Sequence, residues 1–325
     1  SVDLPRRPMR ATSRMRPFTA LAVLLLQSLS AACQSPGEKI SMVWVEGWAD
    51  DGNATLNSLV QRRDSINAVS LLGVVLLGPN ATFTVNNTLI EQQKYYQEAG
   101  FKVFVFLATE DSNISAIRKV FSQPNELADG LLKLAFDNGF DGYNVDFEPI
   151  TDVENPANNP TIDDAQLLAT FLVALSQRMR SIGRSVSVDI MTIAGACRSS
   201  GHWPKDLGPC PWIRRFWQMD MLSESAGVDR IISMDTYSLN NTEFSVAVWY
   251  PLQYVPPERF AVGLCPQFWQ EAQQMPTKED LDLRFNDIKA RGVRELDFWV
   301  WRLEPELLKY WEPFWPYLRD WLASP

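Results

Sequence analysis

Eight short apolar, β-branched runs recur along the chain, at residues 40–45, 68–77, 102–107, 142–147, 186–193, 230–234, 260–264 and 296–301. Their centres are spaced by about 36 residues on average, the length of one strand–helix unit in a barrel. The segments between them carry helical periodicity. Residues 89–99, 126–138, 163–182 and 278–290 read as helices, and each ends at or just before a glycine. Nearly continuous apolar strands alternating with helices predict a parallel sheet covered on its faces. With eight units, the expected architecture is a closed (β/α)8 barrel in one domain. An open doubly wound sheet is the alternative, and it usually opens on a glycine-rich turn. Here the first strand runs into E-G-W-A-D, and the chain has no G-x-G-x-x-G, Walker A or G-x-S-x-G motif.

Composition narrows the chemistry. The chain has one histidine, His202, and four cysteines without a C-x-x-C pair, which disfavours His-rich metal sites, zinc ribbons and thioredoxin-type redox work. A net charge of −9 makes it a poor nucleic-acid binder.

Residues 1–33 read as an upstream extension and a secretory signal peptide, and 34–325 as the barrel. Arg14 and Arg16 precede the apolar run L-A-V-L-L-L, and Ser30, Ala31 and Ala32 follow it, with Met15 as the natural start. The run is short for a membrane span, and no other is long enough, so stable membrane insertion is not expected. Without the five Arg and one Asp of this segment the net charge becomes −13. The predicted destination is secretion or the lysosome. Five sequons agree with that route, at Asn53, Asn80, Asn86, Asn113 and Asn240. In an oxidising compartment Cys197 and Cys210, in a Gly/Pro-rich stretch, are expected to staple one loop, and Cys265 to be a buried free thiol.

The most informative segment is F-D-G-Y-N-V-D-F-E-P at 140–149. Side chains alternate faces along a strand, so Asn144, Asp146 and Glu148 share one face and Tyr143, Val145 and Phe147 the other. In a barrel the apolar set faces the helices. The polar set faces inward, with Glu148 nearest the C-terminal mouth. Carboxylates crowded in such a place raise one another's pKa, which lets one of them hold a proton near neutral pH as a general acid.

D-G-Y-N-V-D-F-E resembles the D-G-x-D-x-D-x-E signature of glycoside hydrolase family 18, the chitinases and di-N-acetylchitobiase-like enzymes. The resemblance implies that Glu148 is the general acid and that Asp146 orients the substrate's 2-acetamido group, whose carbonyl oxygen is the nucleophile. Asp141 matches the first Asp of the signature, in a supporting role. Asn144 replaces the usual Asp; it can hydrogen-bond Asp146 but cannot share a proton with it. M-D-T-Y-S at 234–238 resembles the family's M-x-Y-D segment, so Tyr237 matches the tyrosine that bonds the acetamido carbonyl, and Ser238 replaces an Asp. In D-F-W-V-W-R, Trp301, and less so Trp299, matches the tryptophan beneath the sugar. Strand parity puts both on one face. The family's S-x-G-G segment and its insertion domain are missing, which implies a shallow pocket for short glycans.

The resemblance implies a retaining hydrolase of β-1,4 bonds in N-acetylglucosamine-containing oligosaccharides, such as chitobiose, chitin oligosaccharides or the N-glycan core. It needs no metal or organic cofactor. The alternative is a lectin-like barrel that binds these glycans with weak or no hydrolysis.

Overall fold

In the computed structural model, which describes residues 38–46, 53–109, 111–149, 158–192, 216–219, 221–222 and 227–324, all eight predicted runs become strands. In chain order the strands are β1 (Ile40–Glu46), β2 (Ala68–Leu77), β3 (Phe83–Val85), β4 (Lys102–Thr109), β5 (Gly142–Asp146), β6 (Ser185–Ile190), β7 (Arg230–Ser233), β8 (Phe260–Leu264) and β9 (Glu295–Trp301). Leaving β3 aside, each pairs in parallel with the next, and β1 pairs with both β2 and β9, closing the ring. The fold is a (β/α)8 barrel.

The short β3 runs antiparallel to the upper end of β2 and stands outside the ring. Its turn places Asn80 and Ala81 at φ +57° and +59°, and the Gly78 amide donates to the Thr82 carbonyl at 2.9 Å. Positive φ at two adjacent turn residues matches the twist of a tight hairpin. The run F-T-V is too short to register as a strand in sequence.

Helices coat the ring: α1 (Asn53–Val60), α2 (Asn87–Glu98), α3 (Ile114–Val120), α4 (Pro124–Asn138), α5 (Ile162–Ser181), α6 (Asn241–Trp249), α7 (Pro266–Glu271), α8 (Lys278–Ala290), α9 (Pro305–Trp311) and α10 (Trp315–Ala323). The predicted glycine stops are real. Gly139 caps α4 at φ +74°, a left-handed conformation that a side chain disfavours. At the other end, α5 and α8 open on capping boxes, Thr161 with Asp164 and Thr277 with Asp280. Asp164 also takes a two-pronged bond from Arg118, at 2.6 and 2.8 Å, tying α5 to α3.

Alternation sorts the side chains as expected. Val43, Val45, Val69, Val103, Val105, Tyr143, Val145, Phe147, Val186, Val188, Ile231, Val262, Leu296 and Phe298 pack outward against the helices in one core. A second, smaller core fills the barrel, with Met42, Trp44, Leu72, Phe104, Phe106, Ile232, Ala261 and Val300.

The N-terminal rim is latched by one device used three times. The residue immediately before a strand accepts a hydrogen bond from an amide of the preceding barrel strand, all at 2.8 Å: Ser41 to Asn67, Val103 to Asp141 and Val186 to Asp229. Arg184 and Arg180 pair with the two aspartates, at 2.8 and 2.9 Å. The C-terminal segment closes this same end: Lys39, just before β1, donates to the carbonyls of Trp321 and Ser324 at 2.8 and 2.7 Å. Pro316 lies in the first turn of α10, where its missing N–H has no helical partner to lose.

Residues 227–324 contain no insertion domain; the connections from β7 to β9 are helices and turns. Among the described residues no helix is long and apolar enough to cross a membrane. Residues 1–33, His202, Cys197 and Cys210 lie outside the described residues. Cys265 is free and buried, and burial pushes its thiol up to about 12.

Candidate active site

The C-terminal end of β5 carries the carboxylates. Tyr143 and Val145 are buried outward, which turns Asn144 and Asp146 inward. Asp146 is partly exposed, and Glu148, two residues on, stands exposed at the mouth. Burial, then the neighbouring Glu148 charge, raises the Asp146 pKa well above the ordinary carboxylate range. Although its outer side meets solvent, Glu148 is also raised, by the protein mass around it. The mouth therefore holds an acid that keeps its proton to higher pH than a free glutamate, directly above a second carboxyl group.

Asn144 is fully buried, and four polar groups surround it. Its Oδ1 accepts from Trp44 Nε1 at 2.6 Å and from Ser70 Oγ at 3.1 Å. Its Nδ2 donates to Asp189 Oδ2 at 2.6 Å and to Ser187 Oγ at 3.1 Å. An indole N–H can only donate, so the amide has one possible orientation. The bond to Asp146 that the sequence allowed is not made; the amide is spent on Asp189.

Tyr237 sits in the turn after β7. Its ring lies edge-on to Phe268, 5.7 Å between centroids. It also rests on Gly263, where a Cβ would stand 2.6 Å from its Cε1. Burial and then the Asp189 charge push its phenol pKa up, with Cys265, Asp146 and Asp297 adding to the effect. Ser238 does not face this group. Its hydroxyl donates to Glu243 at 2.6 Å and accepts the Asn240 amide, which makes it a turn residue.

The two tryptophans of β9 separate. Opposite β1, the step from Val43 to Val45 matches the step from Phe298 to Trp301, one residue longer, so β9 is bulged there. The cis peptide bond Trp299–Val300 lies in this bulge. Strand parity is lost across it. Trp301 turns outward, 3% exposed, against Trp311 and Trp315 at 5.0 and 5.5 Å. It cannot form the floor of a pocket, which corrects the expectation that favoured it. Trp299 turns inward, partly exposed, with its ring 5.7 Å from that of Trp44. Beside it, Arg302 pairs with Glu46 and joins the upper ends of β9 and β1.

Asp141 lies at the opposite, N-terminal rim, in the latch with Val103 and Arg184. Asn86, Asn113 and Asn240 are exposed helix N-caps, each accepting backbone amides through its side chain, and Asn80 is exposed at the hairpin tip. Asn53 is the first residue of α1.

Four buried ionisable residues share the barrel interior. Asp189 on β6 is 1% exposed and Asp297 on β9 is fully buried, both with pKa values raised well above the usual range, chiefly by burial. Below them Arg230 and Glu295 form a buried ion pair at 2.8 Å, with the guanidinium over the Phe104 ring at 4.5 Å. Burial outweighs the pairing and raises Glu295 to about 7. Asp189 was readable in advance: in S-V-S-V-D-I it falls in phase with Ser185 and Ser187, a second inward polar row beside that of β5. Among the described residues no cluster of His, Cys, Asp and Glu is arranged to hold a metal ion.

No family model and no curated protein matches the chain. Solved structures do. A chitinase from Chromobacterium violaceum superposes with a TM-score of 0.65 at 15% identity, over 88% of this chain and 100% of that one. The C-terminal domain of a putative chitinase from Desulfitobacterium hafniense gives 0.65 at 14% identity, over 88% and 100%. The spore cortex-lytic enzyme SleL of Bacillus cereus gives 0.64 at 10% identity, over 89% of this chain and 75% of that one. At these identities the likeness is one of fold.

Proposed function

We propose that the protein is a retaining glycoside hydrolase of the family 18 type, acting on β-1,4 bonds of N-acetylglucosamine-containing oligosaccharides by substrate assistance. The observation that carries this reading is the pair Asp146 and Glu148, in step on one face of β5 at the barrel mouth, with the outer carboxyl raised in pKa. The fold shared with chitinases supports it.

In this mechanism Glu148 gives its proton to the glycosidic oxygen as the C1–O bond breaks. The acetamido carbonyl oxygen of the same sugar closes on C1 from the opposite face, forming an oxazolinium ion. Ionised Asp146 accepts the acetamido N–H and balances the positive charge, and the Tyr237 hydroxyl steadies the carbonyl. Water, losing a proton to Glu148, then opens the ring at C1, and two inversions give retention. Trp299 provides the apolar floor.

The test is hydrolysis of chromogenic chitobioside and of free N-glycan core, with the matching 2-hydroxy glycoside as control. Cleavage of the acetamido substrates alone supports the mechanism. Equal rates on both classes would point to a protein nucleophile. Binding of chitobiose without turnover would make the barrel a lectin.

Entry into the secretory pathway through residues 1–33 belongs to the same proposal, as do a Cys197–Cys210 disulfide and glycans on the five sequons. A helix N-cap uses the asparagine Oδ1 and a glycan the Nδ2, so capping and glycosylation at Asn86, Asn113 and Asn240 are compatible. Expression in secreting cells, with N-glycosidase treatment and mass analysis of the peptides, checks all three.

A further inference from the structure

Asp146 and Asp189 are registered partners on the adjacent parallel strands β5 and β6. Both point into the barrel, since Val145, Val188 and Ile190 occupy the outer core. Each has a buried Oδ1 without a hydrogen-bond donor among the described residues. The other oxygen of Asp189 is committed: Asn144 Nδ2 donates to Oδ2, and Trp44 and Ser70 fix the amide that way round. Oδ2 is therefore an acceptor, and any proton on Asp189 sits on Oδ1. Two buried acceptors on neighbouring positions lack one donor, and a single proton supplies it.

We propose that Asp189 is a positioning residue that holds this proton for Asp146, its Oδ1 hydroxyl donating to Asp146 Oδ1 so that the pair carries one negative charge. The proton stays with Asp189 because it is the deeper of the two, 1% exposed against a partly exposed Asp146. It also lies among more negative charge. Asp146 and Glu148 face it from β5, Asp297 from β9, and Tyr237 from the turn after β7. The Arg230 cation is taken by Glu295. Two adjacent carboxylates without a cation between them do not both ionise in such a place. Asp146 is thus kept ionised and aimed, ready for an acetamido N–H, by a group that never meets the substrate.

The kinetic arm of the test rests on the proposed glycosidase activity; the spectroscopic arm does not. In protein carrying 13C-labelled aspartate carboxyls, with signals assigned by substitution, the Asp189 carboxyl should remain neutral at pH 7 in the wild type, and its neutral signal should be the one lost in Asp189→Asn. In Asp146→Asn, the Asp189 signal should titrate at lower pH, since its negative neighbour is gone. On chitobioside, Asp189→Ala should lower kcat about tenfold and move the acid limb of the pH profile upward, because Asp146 loses its donor. Asp189→Asn, whose amide can still donate, should return kcat to within about threefold and restore the acid limb. A wild type in which the Asp189 carboxyl is ionised at pH 7, so that Asp189→Asn removes no neutral signal, overturns the proposal. So does an Asn variant as impaired as the Ala variant. If no glycoside is cleaved, the functional reading fails while the carboxyl titration still decides the role of Asp189.

Discussion

The indole N–H of Trp44 on β1 donates to the side-chain oxygen of Asn144 on β5, 2.6 Å away across the barrel interior. This contact fixes the orientation of the amide on which Asp189 depends, so an aromatic residue from the first strand governs polar groups on the fourth and fifth strands of the ring. Trp44→Phe keeps most of the ring but removes the donor. The variant should lose about 2–3 kcal/mol of stability, for an under-satisfied buried carbonyl and a small cavity. Urea unfolding measures it, and a loss below about 0.5 kcal/mol would show that the bond contributes little.

Glu148→Gln preserves shape and removes the transferable proton. Turnover of chitobioside should fall by about 10²–10⁴, with the unfolding midpoint little changed, because the side chain is exposed at the mouth. Turnover equal to wild type would remove Glu148 from the acid role.

Trp299 and Trp301 should behave oppositely. Trp301→Ala removes a ring packed edge-on against both Trp311 and Trp315 and should cost about 3–5 kcal/mol. Trp299→Ala, at a partly exposed inward position, should cost less stability and raise KM for chitobioside about tenfold. Paired melting curves and steady-state kinetics separate the two. A KM effect at Trp301 with stability intact would contradict the outward placement.

Stability should fall as pH rises from about 4 to 8. The buried carboxyls Asp146, Asp189, Glu295 and Asp297 all have pKa values raised on folding. Between the unfolded and folded pKa values the native state binds more protons than the unfolded chain, so raising the pH through that window favours unfolding. For Glu295 the window closes at about 7. Asp297 has two buried oxygens without a donor among the described residues. Asp297→Asn should flatten the dependence and stabilise the protein at pH 8 relative to wild type. Chemical denaturation at pH 5 and pH 8 tests this, and a steeper dependence in the variant would reverse the assignment.

The barrel was legible because its signal is repeated: eight apolar runs at even spacing, with glycines ending the helices between them. The inward row Asn144, Asp146, Glu148 was legible because parity holds along a regular strand. Parity failed at Trp301 because it carries only as far as the register does, and a one-residue bulge leaves no mark in W-V-W. The partner of Asn144 was hidden for another reason. Parity names the face a side chain occupies but not which neighbouring strand it reaches, and the amide crosses to β6. The start of α10 was hidden as well, because a proline stops a helix or starts one according to the turn it falls in, and F-W-P-Y does not say which.

The three latches at the N-terminal rim, Asn67, Asp141 and Asp229, divide the molecule into a hoop and a crown. Strand register is pinned at the end remote from the carboxylates, by side chains that lie next to each strand in sequence and have no part in the mouth. Insertions, deletions or grafted segments after the C-terminal ends of the strands leave every one of these bonds intact. The same circle of strands can therefore carry mouths of very different depth, and remodelling the mouth is a matter of the crown alone.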